Sequence, residues 1–251
     1  MSVQDPSKRL SALLKKLRTA YPDAAAPQPE LIDANDAVLD QLVFSLLLWE
    51  SSSTQAKAAM RRLREAFVDF NELRVCLADE VVRVMGDRVP LALERSHRLH
   101  AALMNIFNRQ HECGLTHLLD AGKREAKAYL ESVDGLPSFA AARVLLLTLG
   151  GHAIPCDERL RDLLAEAGVC DALATPDDAA GWLERHVPAD EAQSVYALFQ
   201  AWSDDKGHPP RRERRPSLPT AEVEPERPQP RAAKPKAVSR KPGKTKARGG
   251  G

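Results

Sequence analysis

Leu130-Glu131-Ser132-Val133-Asp134-Gly135-Leu136-Pro137-Ser138-Phe139-Ala140-Ala141-Ala142-Arg143-Val144-Leu145-Leu146-Leu147-Thr148-Leu149-Gly150 is the stretch on which the fold turns. A helical run from Gly122 to Val133 breaks at Asp134 to Ser138 and resumes as a very apolar helix from Phe139 to Leu149. Gly150-Gly151 stops that helix, an extended piece runs from His152 to Cys156, and Asp157 opens another helix that ends at Gly168. The order is helix, five-residue turn, helix, glycine, then seven residues to an aspartate.

Helical spacing continues on both sides and period-2 alternation is scarce, so the fold class is all-α, with about ten helices and no internal repeat. Leu10, Leu13, Leu14 and Leu17 form one stripe after Pro6-Ser7, and Tyr21-Pro22-Asp23 ends it. Beyond a Pro-rich connector, Ala24 to Pro29, Asp36 is placed to cap a run from Ala37 to Trp49. Ser53 or Thr54 caps a helix carrying Ala58, Leu63 and Phe67, and shorter helices follow at Asn71 to Ala78 and Asp79 to Met85. A long helix from Glu94 to Gln110 is expected to expose Arg95, His97, Arg98 and His100. Helices at Pro176 to His186 and Ala189 to Ser203 complete a body of residues 1–208.

The 251 residues carry a formal charge of only +1, which conceals an asymmetry. From Arg211 to Gly251 there are 13 Lys or Arg against 4 Asp or Glu, a net of +9, so residues 1–210 carry −8. The tail, 209–251, holds nine of the 18 prolines and almost no large apolar residue, so it cannot offset the entropy of folding and is expected to be disordered. No signal-peptide pattern opens the chain and no run approaches the roughly 18 apolar residues that span a bilayer, so no membrane partner is expected. Cys76, Cys113, Cys156 and Cys170 form no C-x-x-C pair, which points to lone buried thiols in a reducing cytoplasm, with no metal.

The hairpin and its downstream aspartate resemble the helix-hairpin-helix DNA glycosylase superfamily, most nearly its endonuclease III branch, which reads L-E-x-L-P-G-V-G-[RK]-K-T-A, an apolar helix and then V-D-[TG]. Gly135 falls on the first hairpin glycine and Asp157 on the aspartate. Lys8-Arg9-Leu10-Ser11-Ala12-Leu13 through Tyr21-Pro22 resembles the branch's N-terminal helix, and Leu46-Leu47-Leu48-Trp49-Glu50-Ser51-Ser52-Ser53 stands where it has L-L-S-x-Q-[AT]-x-D. The resemblance runs over roughly 200 residues, every motif being degenerate. It implies a two-lobed helical clamp, with lobes of about 36–130 and of 1–35 plus 131–208, and the hairpin at 126–149.

On DNA such a turn presents consecutive backbone N–H groups beside a helix N-terminus, a nest for a phosphate oxygen that positions a duplex without reading its sequence. Gly135, Leu136 and Ser138 are the residues placed to do this, although Pro137 replaces the second glycine and deletes one donor. Pro137 is equally well read as the first residue of a helix, with the turn a mere connector. The resemblance gives Asp157 the role of stabilising the positive sugar as the base leaves, or of activating water; as a plain residue before Glu158-Arg159-Leu160 it is a good N-cap, and the two roles are compatible.

Departures from the family shape the expected chemistry. Phe139 stands where bifunctional members have the lysine that forms a Schiff base, so strand cleavage by β-elimination is not expected, while water-driven base removal is not excluded. Glu50 takes the position of the glutamine that fills the gap left by a flipped base, where a carboxylate meets phosphate repulsion and a desolvation cost. Glu158 and Arg159 follow the aspartate where the family has His or a small residue. No cysteine follows Trp202-Ser203-Asp204-Asp205, so the iron–sulfur cluster of many relatives is not expected, nor any other cofactor.

In the tail Arg211, Arg212, Lys234, Lys236, Arg240, Lys241, Lys244 and Lys246 alternate with proline and small residues, resembling the tails of bacterial nucleoid-associated proteins that hold phosphates by counterion release. A solubilising tail, or one that covers the acidic body, is the competing reading. Three hypotheses follow. One is a monofunctional glycosylase acting on damaged double-stranded DNA. Another is a DNA-binding module of the same fold whose catalytic hairpin has eroded. The third, an all-α scaffold without a nucleic-acid role, is favoured by the −8 body. An enzyme requires a pocket at Asp157 for a flipped base; Phe139 filling it favours the binding module.

Overall fold

The core is built around a helix with no exposed side. Ala37–Leu48 is apolar but for Asp40, Gln41 and Ser45, and every residue from Val38 to Leu48, those three included, is enclosed. At about 2 kcal/mol for each fully buried leucine, Leu39, Leu42, Leu46, Leu47 and Leu48 make this helix a principal contributor to core energy.

The structure, a computed structural model, describes residues 5–32, 36–86 and 89–206. Among these there are eleven α-helices and no strand. They are α1 (Pro6–Ala20), α2 (Ala37–Leu48), α3 (Ser53–Ala66), α4 (Phe70–Val75), α5 (Ala78–Met85), α6 (Ala92–Gln110), α7 (Lys123–Glu131), α8 (Ser138–Leu147), α9 (Glu158–Glu166), α10 (Pro176–His186) and α11 (Ala192–Lys206), with a 3-10 turn at Thr116–Leu119. Helix α2 lies against α8, α3 and α6, while α11 closes on α1, α9 and α8. None of the described helices is long and apolar enough to cross a membrane.

Asp36 caps α2 as its sequence position suggests, accepting the Leu39 N–H at 2.9 Å. The cap of α3 is instead Ser52, one residue earlier than expected, because Gln55 closes a reciprocal capping box with it. Pro137 precedes α8 as its cap residue in extended backbone, and α8 starts at Ser138. Of the four thiols only Cys156 is buried; Cys76, Cys113 and Cys170 are half-buried.

Arg95 is the main correction. It belongs to the buried side of α6, fully enclosed, while His97 and His100 are exposed and Arg98 is half-buried. The reason is at the end of α2, whose last carbonyls have no helical partner. Arg95 supplies their donors, giving Nη1 to the Leu46 carbonyl and Nη2 to that of Trp49 at 2.7 Å, and Nη2 also reaches the Pro90 carbonyl at 3.0 Å.

Candidate active site

The corner between α2 and α3 meets the N-terminus of α9. The chain leaves α2 through Trp49 and passes into Glu50 at φ +54°, a left-handed conformation that costs a non-glycine residue about 1 kcal/mol. Bonds across the molecule hold it there. The Glu50 N–H donates to Asp157 Oδ2 at 3.1 Å, and the Glu158 N–H donates to Glu50 Oε1 at 2.8 Å. Asp157 Oδ1 accepts the Leu160 N–H at 2.9 Å, so the same carboxylate caps α9. Both side chains are enclosed, Glu50 being 7% and Asp157 6% exposed.

Two buried arginines brace this arrangement. Arg95 holds the α2 carbonyls on one side, and Arg159 donates to the Ser51 carbonyl and, at 2.8 Å, to that of Ser203. Ser53 is tied to α11 through its N–H to Asp204 Oδ1 at 3.0 Å. A corner held by this many internal bonds cannot relax its backbone strain by a small shift, which is the condition under which strain persists.

Two carboxyl groups in a dry site do not both ionise. Burial raises Glu50 to about 8, with the charge of Asp157 adding to the effect. Burial also raises Asp157, but N–H groups from Leu160 and Glu50 and the Arg159 charge pull it back. Both carboxyls are thus held above their ordinary range, and only Asp157 has two N–H groups and an arginine charge that favour its ionised form. Burial lowers Arg95 to about 10, opposed by the charge of Glu50, so it remains cationic at neutral pH.

The hairpin joins α7 to α8 with its inner side pressed on α6. Gly135 has φ +77°, and a Cβ there would lie 2.8 Å from the Arg98 carbonyl oxygen and 2.9 Å from the Ala101 Cβ, so only glycine fits. Asn105 Nδ2 donates to Asp134 Oδ2 at 2.7 Å and Arg109 Nη1 to Ser132 Oγ at 2.8 Å, further tying the turn to α6. Its outer side is open. Ser138 is exposed and Leu136 half-buried, and the N–H groups of Ser138 and Phe139 find no acceptor among the described residues. Pro137 is buried, and its carbonyl accepts the N–H groups of Ala140 and Ala141.

Phe139 is 4% exposed and lines a cavity of about 320 Å³ between α7, α8, α10 and residues 153–156. Cys156 contributes to its wall; Asp157 does not. Among the described residues no group of three or more His, Cys, Asp or Glu is placed to hold a metal ion. Arg211, Arg212, Lys234, Lys236, Arg240, Lys241, Lys244 and Lys246 lie outside the described residues.

The structure thus brings Glu50 to Asp157 and sets Gly135, Leu136 and Ser138 together in the hairpin. Sequence reasoning missed Arg95, although a signal was present: Arg95 stands four residues before Leu99, in phase with the buried Ala102 and Ile106.

No family model matches the chain, and no curated protein matches it in sequence. Solved structures do match its fold. A trapped endonuclease III–DNA covalent intermediate, an estranged-adenine complex, superposes with a TM-score of 0.61 at 13% identity, covering 78% of this chain and 85% of that one. A non-covalent endonuclease III–DNA complex gives 0.60 at 13% identity with the same coverage. A thermostable thymine-DNA glycosylase gives 0.54 at 14% identity, covering 78% of this chain and 86% of that one. The chain has the all-helical fold of endonuclease III.

Proposed function

We propose that this chain binds damaged double-stranded DNA and hydrolyses an N-glycosidic bond, without lyase chemistry. The observation that carries the reading is the Glu50–Asp157 pair, two enclosed carboxyl groups brought together from distant parts of the chain, of which Glu50 is raised to about 8 and Asp157 accepts the N–H groups of Leu160 and Glu50. Breaking a glycosidic bond calls for one carboxyl that gives a proton and one that carries charge. Glu50 gives its proton to the departing base, Asp157 stabilises the oxocarbenium-like sugar, and water then adds to the sugar carbon, its proton restoring Glu50. Phe139 offers no amine for a Schiff base. In this reading the lobes 36–130 and 1–35 plus 131–208 clasp the duplex, with the Ser138 and Phe139 N–H groups on a phosphate oxygen.

The test is incubation with duplexes that each carry one damaged base, followed by alkali to reveal abasic sites. Base release by the full chain, lost in Asp157→Asn and Glu50→Gln, supports the assignment; release that survives in both removes the pair from the mechanism. Borohydride is expected to trap no covalent adduct.

A second reading, a DNA-binding module with an eroded site, is favoured by one observation: the cavity beside Phe139 has no wall at Asp157. It predicts duplex binding with no base release from any damaged duplex.

A further inference from the structure

We propose that Trp49 and Arg98 form a stacking platform for an unstacked nucleobase beside the hairpin. This rests on the DNA-binding part of the proposed function and not on its chemistry. Glu50 turns inward to the Glu158 N–H, while its neighbour Trp49 stays half-buried at this corner, partly packed against the core. The backbone of Trp49 is fixed at both ends: its N–H donates to the Ser45 carbonyl at 3.0 Å and its carbonyl accepts from Arg95. The ring itself packs against the core with the Arg95 guanidinium carbon 5.8 Å from its centre, and a ring held in this way loses little further freedom on binding, which favours stacking over a mobile aromatic.

Arg98 supplies the second half of the platform. Its guanidinium carbon lies 4.8 Å from the centre of the Trp49 ring, within cation–π range, and its Nη1 is 3.5 Å from the Gly135 carbonyl oxygen. It therefore links the aromatic corner to the turn whose open N–H groups lie at Ser138 and Phe139. Glu94 accepts from Arg98 Nε at 3.0 Å and from Nη2 at 2.9 Å, which fixes the guanidinium plane. An anchored indole, a guanidinium and phosphate-seeking amides on one edge are the elements by which proteins hold a base withdrawn from its stack. Such a base can come from a single strand or from the gap at a damaged pair in a duplex.

Trp49 also gives the test its signal, since Trp202 is buried in the core and Trp182 is stacked on His186 at 4.0 Å. The full chain is titrated with three DNAs: a duplex with one abasic site, the same duplex intact, and one of its strands alone. The abasic duplex or the single strand is expected to quench tryptophan emission where the intact duplex does not; quenching by the abasic duplex alone assigns the platform to gaps, and by both to any unpaired base. Trp49→Leu should remove the quench and weaken abasic-duplex binding about tenfold while shifting intact-duplex binding less than about twofold, and Trp49→Phe should retain most of the affinity. Arg98→Gln, on the surface of α6, should weaken the abasic complex about threefold and keeps the test open if Trp49→Leu does not fold. Unchanged abasic-duplex binding in Trp49→Leu, or equal losses on all three DNAs, overturns the platform. Selective loss without base release leaves the platform standing and removes hydrolysis; base release with no quench does the reverse.

Discussion

The carboxyl corner and the hairpin turn are built in opposite ways, although each depends on a left-handed residue. At the corner Glu50 takes φ +54° with a full side chain, and the strain is offset by buried bonds to Asp157, Glu158 and two arginines. In the turn Gly135 takes φ +77° at no steric cost, and the bonds that would close the outer N–H groups are absent among the described residues. A charged group gains chemical power where most water is excluded, and Glu50 and Asp157 are only 7% and 6% exposed. A phosphate must reach its donors from solvent, so the turn is open on one side and buttressed by α6 on the other.

The sharpest way to break this contrast is Asp157→Asn. Asparagine keeps one oxygen to cap α9 but removes the charge and leaves the Glu50 N–H without its acceptor, so base release should fall by about 10²–10³-fold with little change in duplex affinity, read by single-turnover assays. A parallel loss of binding would place the carboxylate in the grip rather than in the chemistry.

Next is pH. Folded Glu50 holds its proton to about 8, whereas in the unfolded chain it ionises near its ordinary value of about 4.5. Between those points the folded chain binds the extra proton, so stability should fall by about 3 kcal/mol as pH rises from about 5 to 8, then level off. Denaturant unfolding of the full chain and of Glu50→Gln across this range checks it; the variant should lose most of that slope. For the same reason base release should decline above pH 8.

Gly135→Ala tests the turn. The added methyl meets the backbone of α6 and a positive φ, so unfolding should become easier by about 2 kcal/mol, with a further loss of duplex affinity as the amides move. Removing residues 209–251 should have the smallest effect, lowering duplex affinity about tenfold at low salt and flattening its salt dependence while base release per bound complex persists. If affinity disappears altogether with the tail, the hairpin is not a grip.

Much of the fold was legible because it is recorded in short-range patterns. The mostly apolar run from Ala37 to Trp49 reads as a helix, Asp36 and Asp157 stand where caps belong, and Gly135 marks the turn. Ser52 was missed as a cap because three consecutive serines satisfy the same local rule, and the Gln55 side chain decides among them. From sequence Arg95 belongs on the exposed side of α6, since a cation on an isolated helix favours water; only the orphaned carbonyls at the end of α2 make its burial favourable. Glu50 was placed against DNA on its position alone, and its inward turn depends on an N–H donor 108 residues away.

Helical periodicity, caps and the glycine turn are properties of residues within a few positions of one another, so the chain's own sequence determines them before any packing takes place. How far a carboxyl's proton affinity is shifted, which arginine is buried and which aromatic stays only half-buried are settled by neighbours that arrive from far along the chain. Desolvation and hydrogen-bond supply exist only once α2, α6 and α9 have come together, and for that reason the tertiary structure alone decides them.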